Sequence, residues 1–188
     1  MLNEAILLAE KGFRVMPCNG KKSILKKWQF KATNNIETIK KLWSNADYNI
    51  GILTGINGGN IVVIDCDIKE DVNGISNFQM LLKVHNIKLP NTLQAISGNG
   101  GIHYYFKSTK SLKCHTDFPC KGVDIRADGG YIIAPPSLHP NGNKYKWHNN
   151  TNIAYLPKEL EDSFKESFDF FGKKIKGFDN SDTILAGL

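Results

Sequence analysis

The segment "IVVIDCD", residues 61–67, ends an apolar run on two aspartates. Side chains alternate across a strand, so Asp65 and Asp67 share one face while Cys66 points to the other. Two carboxylates held that close repel, and in an apolar setting one must protonate unless a divalent cation lies between them. The plain alternative is a strand that has already ended, leaving both acids solvated in a turn. The pattern recurs along the chain. His103 and Tyr105 share a face on "GIHYYF", and Asp124 and Arg126 share one on "GVDIRAD". Three acids, one histidine and one arginine, paired at i and i+2 on three adjacent apolar strands, read as a single site.

The chemistry suggested is phosphoryl transfer assisted by two metal ions. Three carboxylates from two strands suit two divalent ions about 3.5–4 Å apart. Oxygen-only ligands favour Mg²⁺ or Mn²⁺ over zinc. His103 follows the glycine-rich loop "SGNGG", whose backbone N–H groups could approach phosphate oxygens, with Ser97 adding a hydroxyl. Arg126, one of only two arginines, could grip a phosphate in a bidentate manner. Taken alone, the glycine loop is equally a plain turn. Cys114, His115 and Cys120, completed by His85 or His139, offer a zinc site on a spacing that fits no established pattern; ordinary small core or loop residues are the alternative.

These residues need elements to hold them. Residues 3–11 read as an amphipathic helix ended by Gly12, and "FRVMPC" as a short strand stopping at Pro17. The lysine-rich stretch "NGKKSILKKWQFKATN" reads as a polar loop. A second helix follows in "NIETIKKLWSN", capped by Asn34 or Asn35. "YNIGILTG" and "IVVIDCD" form a hairpin-like pair around "NGGN", placing the acids at the end of a central strand. A third helix over 75–86, the strands "LQAIS" and "HYYFK", the pair within "GVDIRADGGYIIAPPS", and a helix over 157–173 complete the chain. This order lacks the regular alternation of a doubly wound sheet, so the class is α+β with a mixed sheet. Residues 1–165 form one catalytic domain, and 166–188 a helix end and linker leading to a further region.

Bulk properties set bounds. The 188 residues have ordinary hydrophobic content, and no run approaches the length of a membrane span. The acidic, amphipathic N-terminus reads as no signal peptide, so a cytoplasmic location with reduced cysteines is expected. A net charge of +6 favours a polyanionic partner. Lys21, Lys22, Lys26 and Lys27 are candidate contacts to such a polyanion, with a solvated loop as the alternative. Trp28 and Trp43 read as core or interdomain packing.

Jointly, "GILTG…NIVVIDCD", "SGNGGIHYYF" and "GVDIRADGGYIIAPPS" resemble the bifunctional primase–polymerase (Prim-Pol) domain of the archaeo-eukaryotic primase superfamily. The likeness runs from about residue 4 to 150, in the family's order. Asp65 and Asp67 match its Asp-x-Asp motif, Ser97 and His103 its small-residue loop ending in histidine, and Asp124, followed by Arg126, its apolar-Asp strand. "GKKSILKKW" resembles the N-terminal signature, with Ser23 where a proline is common. The resemblance implies an RNA-recognition-motif-like catalytic half packed on an N-terminal α/β half. It also implies template-directed nucleotidyl transfer, as a DNA primase and polymerase in replication of a mobile element or virus. Asp65, Asp67 and Asp124 would bind Mg²⁺ or Mn²⁺; Ser97, His103, Arg126 and Lys22 would bind nucleoside triphosphate; Lys21, Lys26 and Lys27 would bind single-stranded template and primer. A helicase, fused or separate, is an implied partner. Two other readings of the same residues are a metal-dependent nuclease and a non-catalytic replication-initiator module.

Overall fold

The computed structural model describes residues 1–166. The chain opens with α1 (Leu2–Glu10), β1 (Val15–Asn19), β2 (Lys22–Ser23), the one-turn α2 (Trp28–Lys31) and α3 (Ile36–Leu42). Next come β3 (Asn49–Leu53), β4 (Ile61–Cys66), the short β5 (Ile68–Lys69) and β6 (Val72–Asn73), and α4 (Gly74–Val84). β7 (Gln94–Ile96), β8 (Ile102–Lys107), β9 (Val123–Arg126), β10 (Tyr131–Ala134), β11 (Lys146–Trp147), β12 (Ala154–Tyr155) and α5 (Lys158–Glu166) follow. The architecture is α+β with several antiparallel sheets. The end of the helix expected over 157–173 and the linker lie outside the described residues.

Two sheets carry the fold. One has the order β10-β3-β1-β2, the other β11-β7-β8-β4-β9, with β12 added parallel to β8. α1, α3, Val15 and Ile50 of the first sheet, and Val63 and Tyr105 of the second share one apolar core. The opposite face of the second sheet, with Ile64, Phe106 and Ile125, packs on Phe78 of α4 and on Leu160 and Phe164 of α5. Alternation on β4 thus sends Val63 and Asp65 one way and Ile64 and Cys66 the other. Side-chain caps fix two helix starts: Thr38 N–H donates to Asn35 Oδ1 at 2.9 Å, and Ser76 N–H to Asn73 Oδ1 at 3.0 Å.

Three expectations need correction. β3 and β4 are no hairpin: each is central to a different sheet, and only an isolated bridge, Gly55 to Ile61, joins their ends. Every residue of both strands is buried, so both strands need neighbours on either side. Pro17 does not end β1 but lies within it, opposite Ile50. Its carbonyl accepts from Ile24 N–H, so its missing donor faces the β2 side and costs no bond in the β1–β3 ladder. The lysine-rich loop contains β2 and α2.

The chain crosses between these two sheets three times, after β3, β9 and β10, and the first two crossings are tied together. Thr54 N–H donates to Gly130 O at 3.1 Å and its hydroxyl to Ala127 O at 2.7 Å, while Ile56 N–H donates to Asp128 Oδ1 at 2.6 Å. Gly55, at φ +72°, has no room for a Cβ, which would lie 2.3 Å from Asp128 Cα. Gly129 and Gly130 of this junction line the site.

Candidate active site

β4 is the central strand of the site, flanked antiparallel by β8 and β9. In register, Asp65 stands opposite His103 on one side and opposite Asp124 on the other. Asp67 lies just past the strand end, anchored by its N–H donating to Gly122 O at 2.8 Å. Asp65, Asp67, Ser97, His103 and Arg126 line one cleft of about 380 Å³, with Lys21 and Trp28 contributed by the first half of the chain. Of the five residues grouped by strand spacing, Asp65, Asp67, His103 and Arg126 line this cleft and Asp124 does not; Ser97 enters from the glycine loop.

Burial dominates the electrostatics. Asp65 is 8% exposed, and its Oδ1 has no hydrogen-bond partner among the described residues. Burial, reinforced by the neighbouring Asp67 charge, pushes its carboxyl up to about 7. His103 Nε2 approaches that Oδ1 to 3.3 Å without hydrogen-bond alignment. Burial pushes the His103 imidazole down to about 3, against the opposing pull of Asp67. The contact is therefore between groups that both resist charge, and no ion pair is formed near neutral pH. Asp67 is more open and paired with Lys69 Nζ at 3.3 Å.

Asp124 is differently placed. Its Oδ2 accepts from Arg126 Nη2 at 2.5 Å and its Oδ1 from Asp117 N–H at 3.0 Å. Both oxygens are occupied, and among the described residues no three His, Cys, Asp or Glu side chains are arranged to hold a metal ion. The orphaned, buried Asp65 oxygen beside Asp67 nevertheless suits a divalent cation, which would remove both the like-charge conflict and the missing contact. Those two carboxylates would hold such an ion. Asp124 does not line the cleft in this arrangement, where Arg126 lies against it. The suggested zinc group is not assembled either: Cys114 Sγ accepts from Ala127 N–H at 3.2 Å, while the His115 ring packs on Phe118.

The loop before His103 is pinned from several sides. Ser97 Oγ donates to Asn99 Oδ1 at 2.6 Å, and Asn99 Nδ2 donates to Ile68 O at 2.7 Å. Gly98 O accepts from Asn141 Nδ2 at 3.0 Å and from Asn143 Nδ2 at 2.8 Å. A Cβ on Gly98 would lie 2.3 Å from His139 Cβ, so only glycine fits. Tyr145 packs against both His103 and His139, ring centroids 5.7 Å apart in each case. Its hydroxyl is pushed up by burial and by the Asp65 and Asp67 charges.

Asn141, Asn143 and Tyr145 were not singled out from the sequence. The alternation in "KYKWH" was the available signal for Tyr145, since it puts Tyr145 and Trp147 on one face. Trp43 is buried as expected, and Trp28, half-buried at the cleft, packs against the small core of Met16, Ala32 and Leu53, edge-on to Tyr131 at 4.8 Å. Lys21 reaches the cleft; Lys22, Lys26 and Lys27 are exposed outside its lining.

The family model described as bifunctional DNA primase/polymerase, N-terminal, matches residues 5–159. Among curated proteins, none matches the chain. Within the described residues, no helix is long and apolar enough to cross a membrane.

Proposed function

The chain belongs to the bifunctional DNA primase/polymerase (Prim-Pol) family, and from that premise we propose that this cleft carries out template-directed nucleotidyl transfer. The observation that carries the reading is the register that sets Asp65 between His103 and Asp124 at the head of one cleft. Residues 1–165 act as the catalytic domain, with an RNA-recognition-motif-like half built around β4, β8 and β9.

In this reading Asp65 and Asp67 would hold Mg²⁺ or Mn²⁺, and Asp124 would complete the ligand set for a second ion. Bound there, such ions would supply a lowered pKa for an attacking 3′-hydroxyl and would offset charge on the leaving pyrophosphate. His103, neutral at working pH, offers a ring N–H to a triphosphate oxygen. Arg126 exchanges Asp124 for a phosphate, which frees that carboxylate. Ser97 and its pinned loop keep the triphosphate aligned, and Tyr145 holds the His103 ring from behind. Burial at the strand heads excludes water from the reacting groups. Lys22 supports the triphosphate, and Lys21, Lys26 and Lys27 hold single-stranded template and primer. The setting is cytoplasmic replication of a mobile element or virus, with a fused or separate helicase.

The test is incubation of the protein with a labelled primer–template, dNTPs and Mg²⁺ or Mn²⁺. Growth of the primer by template-dictated nucleotides supports the reading. Shortening of the strand would support a nuclease instead.

A further inference from the structure

Residues 20–35 contain Lys21, Lys22, Lys26, Lys27 and Lys31 and no acid, so this short stretch supplies five positive charges where the whole chain nets +6. Among the described residues, none of these five lysines is paired with a carboxylate. In their midst the one-turn helix α2 projects Phe30, which is 76% exposed, more than any other large hydrophobic side chain described. Phe30 packs in none of the apolar cores. Two residues away, Trp28 turns inward to Tyr131 and lines the cleft, as does Lys21. Lys21 and Trp28 tie this segment to the cleft, while Phe30, two residues on in α2, points away from Trp28 and presents its ring to solvent on the segment's outer side.

We propose that this surface receives the single-stranded template, with the Phe30 ring as a stacking platform for an unpaired base and the surrounding lysines as phosphate contacts. The proposal rests on the reading of the cleft as a template-directed site and adds a residue that binds bases by their faces. An aromatic ring among unpaired cations matches the two surfaces of a single strand, π-faced bases and an anionic backbone. A protein partner fits less well, because lysine is depleted at the cores of protein interfaces. A duplex fits less well too, since its bases already stack on one another. Stacking ignores base identity, which suits a protein that must copy any sequence.

The test is the affinity of the full chain for fluorescein-labelled oligo(dT), for an abasic strand of equal length and for duplex DNA, without dNTP. Phe30→Ala should weaken oligo(dT) binding about fivefold or more, the lower end of a lost base–aromatic stack, and Phe30→Trp should restore it. On the abasic strand, the unsubstituted protein and Phe30→Ala should bind alike, and duplex binding should not depend on residue 30. Equal oligo(dT) binding by the Ala variant, equal binding of abasic and normal strands by the unsubstituted protein, or no measurable single-strand binding would overturn the proposal. Circular dichroism melts establish that the exposed substitution leaves the fold intact. Because no nucleotide is added, a protein that shows the Phe30 effect yet never extends a primer would contradict the catalytic reading and leave the platform standing.

Discussion

Asp65 and His103 face each other across the β4–β8 ladder, Nε2 3.3 Å from Oδ1, without a hydrogen bond between them. The two are brought together by strand register, yet each is left short of a partner by burial: among the described residues, Asp65 Oδ1 and His103 Nδ1 have no hydrogen-bond partner. A buried polar atom without a partner costs roughly 1–3 kcal/mol, so the site holds unfavourable contacts that a cation and a triphosphate are suited to relieve.

Asp65→Asn should therefore leave metal-free stability unchanged or raised by about 1 kcal/mol at pH 8, because it removes a buried charge beside Asp67. Mg²⁺ or Mn²⁺ should raise the melting temperature of the unsubstituted protein and have little effect on this variant. Denaturant melts in chelator and in metal would show both differences; an Asn variant that melts well below the unsubstituted protein in chelator would contradict them.

His103→Ala should weaken apparent dNTP affinity about five- to tenfold, the scale of one lost hydrogen bond at a well-ordered site. Template affinity without dNTP should not change. A dNTP titration at saturating template checks this, and an unaltered nucleotide affinity would make His103 a simple core histidine.

Removing both carboxamides that hold Gly98 O, in an Asn141→Ala/Asn143→Ala variant, should raise the KM for dNTP with a smaller effect on kcat. The loop they pin carries Ser97 and leads to His103. A single-residue Gly98→Ala change should act the same way, because its Cβ would meet His139. Steady-state kinetics on a fixed template would reveal a failure as a pure kcat loss.

α5 is fastened to the end of β8 through Glu161, which accepts from Ser108 Oγ at 2.7 Å and Thr109 N–H at 2.6 Å. Burial opposes ionisation of Glu161, but these bonds and the nearby Lys110 outweigh it and hold the carboxyl below its ordinary value. A depressed carboxyl contributes stability that is present above the ordinary value of 4.5 and lost as pH falls through the folded-state value. Glu161→Gln should cost about 1–3 kcal/mol at pH 7, and the gap should narrow below about pH 4.5. Denaturation at several pH values reads this directly; a gap that stays constant into acid would refute it.

Lysine contacts to single strands each contribute about −0.7 to the slope of log K against log salt. Replacing Lys21, Lys22, Lys26 and Lys27 together by Ala should flatten that slope by roughly two to three units. An unchanged slope with lost dNTP binding would assign the segment to the triphosphate pocket. No change in either would move the template groove to Lys107, Lys113, Lys144 or Lys146, since Lys110 is committed to Asp162.

Much of the site was legible because strand alternation is a strict rule: Asp65, His103 and Asp124 each interrupt an apolar strand, and interruption of a buried pattern needs a reason. Family resemblance then ordered the same residues. Pairing was harder. β3 and β4 are buried on every residue, so periodicity could not say which faces met or that the neighbours in sequence sit in different sheets. Pro17 misled because its effect depends on which side of the strand its nitrogen faces. Asn141 and Asn143 looked like ordinary turn residues; only the fold brings them to Gly98. The Arg126–Asp124 bond was hidden for the opposite reason: an arginine and an aspartate at i and i+2 on one strand face each suit an external ligand, and spacing alone does not show that they bind one another.

The most direct measurement is primer extension on a defined template with dNTPs and Mg²⁺ or Mn²⁺, comparing the unsubstituted protein with Asp65→Ala and Asp67→Ala. The unsubstituted chain should lengthen the primer by the nucleotides the template dictates, and both variants should lose incorporation while keeping a folded circular-dichroism spectrum. A strand that shortens, or more than a few per cent of incorporation retained by both variants, would contradict the assignment of these carboxylates to nucleotidyl transfer.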